Sequence, residues 1–96
     1  MVEVIFLNIK DDRHERKGNG AYFFRNTSTN QLYKWSTSKN NHYGILENRM
    51  YFINFTVTDE KEDNAIRIKN VRIYEKLGDG TFHLMKNRNG TYKEWI

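Results

Sequence analysis

Five segments rich in β-branched and aromatic residues follow one another along the chain, and no helical pattern of about 10–15 residues separates any two of them. They are VEVIFLNIK (2–10), AYFFRN (21–26), QLYKWSTS (31–38), MYFINFTVT (50–58) and AIRIKNVRIYEKL (65–77). A parallel α/β fold needs helical crossovers and is excluded. The first segment reads as a strand buried on both faces. The second and third are joined by TSTN (27–30) and form a hairpin. In the fourth, Tyr51, Ile53, Phe55 and Val57 share the core face, and Met50, Phe52, Asn54 and Thr56 share the other. The fifth loses its phase: Ile66 and Ile68 keep one two-residue period, Val71 and Ile73 another. That slip predicts a β-bulge at Lys69–Asn70, with Arg67, Lys69 and Arg72 on or beside the solvent side.

The remaining segments are punctuation. DDRHERKGNG (11–20) and DEKEDN (59–64) read as a charged loop and an acidic turn, and KNNHYGILENR (39–49) has room for a short helical turn around Ile45–Glu47. Turn signals at 78–80 and 87–90 flank TFHLMK and TYKEWI, a C-terminal hairpin. Five antiparallel strands of this length suit a small Greek-key barrel, and the OB-fold is the five-stranded case. The expectation is an all-β chain: a five-stranded OB-fold-like barrel over 1–76, with a hairpin at 77–96 packed on the same single domain.

Composition narrows what such a barrel is made of and what it meets. Apolar residues make up 38% of the 96 and aromatics 15%, so the core must rest on a few large rings. With no cysteine there is no disulfide and no thiolate metal site. No segment reaches the roughly 20 apolar residues of a membrane helix, and the first residues lack a signal-peptide pattern. A cytoplasmic protein away from membranes is expected. The formal net charge is +4. Residues 65–96 carry seven Lys/Arg against three acids and residues 10–25 five against three, whereas 59–64 sums to −3. A basic chain of this size attracts polyanions.

GAYFFRNTSTNQLYKWSTSK and, after a gap, GILENRMYFINFTVTDEKEDNAIRIKNVRI resemble an OB-fold-like domain that recurs in DNA-handling proteins of phages and low-GC Gram-positive bacteria. Tyr33, Trp35, Thr37 and Ser38 match its aromatic-x-Trp-x-Thr-Ser strand. Tyr51, Ile53, Thr56 and Val57 match its Tyr-x-Ile-x-x-Thr-Val strand, and Ile68 and Val71 to Ile73 its next strand loosely. The likeness covers roughly residues 20–75 and speaks to fold more than function. The chain departs from it in its acidic loop at 59–64, where related domains often carry a His-x-x-Tyr-like segment.

The candidate site follows from strand alternation. Tyr33 and Trp35 share one face of their strand and Lys34 and Ser36 the other. If the aromatics face outward they form a stacking platform. If they face the core, the binding face holds Lys34 and Ser36, with Phe23 and Arg25 on the previous strand, and Tyr22 and Phe24 turn inward. Either way a ring lies beside cations, which is the composition of a single-strand platform. Phe52 extends it or is capped by the C-terminal hairpin. Arg13, Arg16 and Lys17 would overhang the face from the first loop, and Arg67, Lys69 and Arg72 would rim it. No nucleophile–base pair, metal-ligand spacing or phosphate loop is argued by the sequence, so neither an enzyme nor a bound cofactor or metal is expected. The partner expected is single-stranded DNA or RNA, held by a monomer or homodimer. The alternative is a small, phage-encoded protein-interaction module. Phe23, Arg25, Lys34 and Phe52 discriminate: clustered and exposed they favour nucleic acid, and covered by the hairpin or a second subunit they favour a protein partner.

Overall fold

The computed structural model describes residues 1–11, 19–38, 44–62 and 64–85. Within them lie six strands and no helix: β1 (Val2–Asp11), β2 (Asn19–Asn26), β3 (Leu32–Ser38), β4 (Met50–Glu62), β5 (Ala65–Lys76) and β6 (Phe82–Leu84). The sheet order is β3-β2-β1-β4-β5-β6, and an additional β3–β5 pairing brings the first five strands into a ring. That pairing is parallel and runs from Leu32↔Ala65 to Trp35↔Ile68, while the other ladders are antiparallel. The fold is therefore all-β and compatible with a small barrel-like architecture.

The inside of the ring is filled by a few large side chains, as the composition requires. Val4 and Phe6 of β1, Tyr22 and Phe24 of β2, Tyr33 and Trp35 of β3, Tyr51 and Ile53 of β4, and Ile68, Val71 and Ile73 of β5 form one buried cluster. Tyr22 lies 5.1 Å from Trp35 and Phe6 5.5 Å from Phe24, centroid to centroid, and both pairs are tilted. Burying each such ring contributes about 1.5–3 kcal/mol. Alternation along β2 and β3 decides which residues join the cluster, and it sends Phe23, Arg25, Lys34 and Ser36 to the outside.

The predicted bulge in β5 is present. Asn54 pairs with Arg72 and Thr56 with Lys69, so two steps on β4 match three on β5. Asn70 absorbs the extra residue in the left-handed region, φ 54°, where Asn is tolerated better than most residues. Ile68 and Val71 consequently both point inward although they are three apart.

Several expectations are corrected. β1 is not buried on both faces: Ile5, Leu7 and Asn8 are half-buried, and Glu3, Ile9 and Lys10 are exposed. Val57 is exposed as well; it pairs with Ile68 at the start of the register loss between Val57 and Lys61. The acidic segment is no simple turn. β4 continues through Glu62, with Lys61↔Ile66 and Glu62↔Ala65 paired, and the chain reverses by Asn64 at φ 65°. Around Ile45–Glu47 there is no helical turn; Glu47–Asn48 form a plain turn with Asn48 at φ 63°. The 81–86 segment supplies β6, whose partner among the described residues is β5. The turn between them is closed by Leu77 N–H donating to the Thr81 carbonyl at 2.8 Å. The turn at 87–90 and the strand at 91–96 lie outside the described residues, as does most of the 11–20 loop.

Candidate nucleic-acid interface

Tyr33 and Trp35 were the candidates with the largest rings, and the structure removes them from any ligand-facing role. β3 is flanked by β2 on one side and β5 on the other, so the face bearing these aromatics closes over the interior. Trp35 has no exposed surface, and Tyr33 packs on Phe55 at 4.8 Å while its hydroxyl accepts from Asn26 Nδ2 at 3.2 Å. They hold the ring together rather than stack on a base.

The opposite face of the same strands does gather predicted residues. Paired residues in neighbouring strands project to one side, and the ladders pair Asn8 with Phe23, Phe23 with Lys34, and Lys34 with Arg67. One row therefore crosses β1, β2, β3 and β5 on the outside, with a ring followed by two cations. Arg25 stands in the adjacent row, between Ile5 and Leu32. Its Nη1 donates to Asn30 Oδ1 at 3.0 Å, which draws the guanidinium toward the β2–β3 turn. That turn is shaped by Asn26, whose Oδ1 accepts the N–H groups of Ser28 and Thr29 at 2.8 and 3.2 Å. Lys10 was not foreseen as a site residue. Its Nζ lies 5.3 Å from the centre of the Phe23 ring, a cation–π contact that puts a positive charge beside the one half-exposed ring of the row.

The charges in the row are not bare. Lys34 is buried, and its Nζ donates to Glu62 Oε2 at 2.5 Å. Arg67 Nη1 lies 3.3 Å from Glu60 Oε2 and 3.8 Å from Glu62 Oε1. Glu60 and Glu62 of the acidic 59–64 segment thus lie on the cations of the candidate face.

Phe52, Lys69 and Arg72 are not part of this row. Phe52 pairs with Glu3 on β1, five positions before Asn8 and roughly 16 Å away at about 3.3 Å per residue. It is half-buried and meets Phe82 of β6 edge-on at 5.1 Å. The discriminating residues therefore divide: Phe23, Arg25 and Lys34 share one face, but Phe23 and Arg25 are half-buried and Lys34 is buried, and Phe52 is partly covered by the hairpin strand. Lys69 is exposed at the bulge, and Arg72 stands opposite Asn54 beyond it. Near Phe52 a groove of about 430 Å³ opens between the 44–49 connector and β5, lined by Leu46, Arg49, Met50, Phe52, Glu75 and Lys76 among others. Leu46, Met50 and Phe82 are each exposed there. Arg13, Arg16 and Lys17 lie outside the described residues.

Among the described residues no group of three or more His, Asp or Glu is arranged to hold a metal ion. No helix among them is long and apolar enough to cross a membrane. No protein-family model, curated protein or solved structure matches the chain.

Proposed function

We propose that this protein is a non-catalytic binding protein that holds single-stranded nucleic acid on the outer face of β2, β3 and β5, in the manner of an OB-fold-like module. The observation that carries the reading is the row Phe23–Lys34–Arg67, with Lys10 and Arg25 beside it. A half-exposed ring offers a base one face to stack on, and cations one strand away (Lys10, Lys34) and two strands away (Arg67) meet the phosphates. Stacking and charge are sequence-tolerant, so the expected preference is for single strands rather than for a sequence.

The test is an anisotropy titration with labelled oligo-dT and oligo-rU at two salt concentrations. Binding that weakens steeply with salt and falls on Phe23→Ala supports the reading. Flat curves at low salt overturn it.

A second reading, a protein-interaction module, is favoured by one separate observation: Leu46, Met50 and Phe82 stand exposed around the groove beside Phe52. If oligonucleotides do not bind and Met50→Asp abolishes capture of a partner protein, this reading replaces the first.

A further inference from the structure

Lys34 and Arg67 sit side by side on β3 and β5, and the tip of β4 supplies their counter-charges. Glu62 spans the two, with one carboxylate oxygen on Lys34 and the other facing Arg67, while Glu60 adds a second oxygen to Arg67. Two oxygens of one anion shared between neighbouring cations is also the way a phosphodiester would present its two non-bridging oxygens. The cations are largely covered, with side chains 8% and 19% exposed, but the carboxylates above them are 46% and 62% exposed. The acids therefore form the lid of the pair. Glu60 lies within the register loss at Val57–Lys61, and Glu62 just past it, where β4 pairs again with β5 at Ala65. The β3–β5 pairing beneath, Leu32 to Trp35 against Ala65 to Ile68, makes no use of them.

We infer that Lys34 and Arg67 form a site for one phosphate and that Glu60 and Glu62 occupy it in the free protein as an internal competitor, which single-stranded nucleic acid displaces. This rests on the nucleic-acid reading of the same face and adds to it a limit on how tightly that face binds. A strand must exchange its phosphate for a carboxylate already in place, so the exchange releases little net charge. Only strands that also engage Phe23 gain enough to lift the tip.

The experiment compares wild type, Glu60→Gln/Glu62→Gln and a charge-matched control, Glu47→Gln/Glu75→Gln, by anisotropy with labelled oligo-dT at two salt concentrations. The first variant binds roughly three- to tenfold more tightly than wild type, the scale of one or two exposed ion pairs. Its salt slope steepens by roughly 0.7, one additional phosphate neutralised. The control, with the same gain in net charge, changes less than about twofold. Equal affinities for the two variants overturn the competitor and leave the nucleic-acid face standing. No binding by any of the three at low salt overturns both. If the loss of Glu62 leaves Lys34 uncompensated and prevents folding, Glu60→Gln alone carries the test through Arg67. It should bind about two- to threefold more tightly, and wild-type affinity overturns the inference.

Discussion

The two halves of β5 keep different company. From Ala65 to Ile68 the strand runs parallel to β3, and the outer cation of that stretch, Arg67, is matched by carboxylates from β4. From Tyr74 to Lys76 it runs antiparallel to β6, and its outer side lies with Phe52 and Phe82 beside the groove. Lys69–Asn70 is the border between them. The first half combines a tight interior with an exterior whose charges are balanced within the molecule. The second half leaves apolar side chains and Lys76 facing solvent, with no ion pair to Lys76 among the described residues. Placing the binding face on the first half rests on its order, since a ring and two cations fall in one row. Exposure alone would have favoured the second.

Stability should break the symmetry most strongly. Trp35→Ala, beneath the first half at its pairing with Ile68, is expected to cost about 3–5 kcal/mol in urea unfolding. Phe82→Ala, on the exposed hairpin, should cost about 1 kcal/mol or less. Equal losses would mean that β6 is as much a part of the core as β3. Affinity is the next contrast: Phe23→Ala should lose about 1–3 kcal/mol of oligo-dT binding, the worth of one stacked base, with Phe52→Ala nearly silent. The reverse result would move the binding face across the bulge.

The border itself can be probed. Asn70→Ala places an ordinary residue at φ 54° and should cost about 1 kcal/mol in thermal or urea melts, whereas Asn70→Gly should be close to neutral. If Asn70→Ala is also neutral, the bulge is not held by this residue.

The smallest contrast lies in pH. Burial raises the Tyr22 hydroxyl above its ordinary value of 10.0, so its contribution is present below pH 10 and lost as pH climbs through the folded value. Tyr22→Phe should unfold at higher pH than wild type. In the turn of the second half, hydrogen bonds from Thr81 lower Asp79 below its ordinary 3.8. That contribution is present above pH 3.8 and lost as pH falls through the folded value. The melting-temperature gap between wild type and Asp79→Ala should therefore be small at pH 6 and close near pH 2. A gap that persists in acid would refute the hydrogen-bonded carboxylate as its source.

Much of the fold was legible because strands write their period into the sequence. The bulge was visible in the three-residue step from Ile68 to Val71. The sign of an alternation was not: Tyr33 and Trp35 share a face in any case, but which face is inside depends on the direction in which the sheet closes into the ring. The 91–96 partner expected for TFHLMK lies outside the described residues. The site was less legible for a related reason. Lys34 and Glu62 are 28 residues apart, and an acidic run reads as a solvated turn until a ladder places it over a lysine. Lys10 falls beside Phe23 only through the β1–β2 register, which the irregularity at Phe6–Asn8 shifts.

The parallel seam between β3 and β5 has a consequence for how the chain assembles. β2–β3 and β4–β5 are each joined by a short connection and can zip up from their own turns. Leu32 to Trp35 must wait for Ala65 to Ile68 to arrive from the far side of β4. Contacts of such long sequence separation are slow, because chain entropy is lost before they form. Ring closure, through the β3–β5 pairing and the still longer-range β1–β4 pairing, is thus expected to follow the hairpins. Until it happens the two hairpins expose the aromatic faces that later meet as the core.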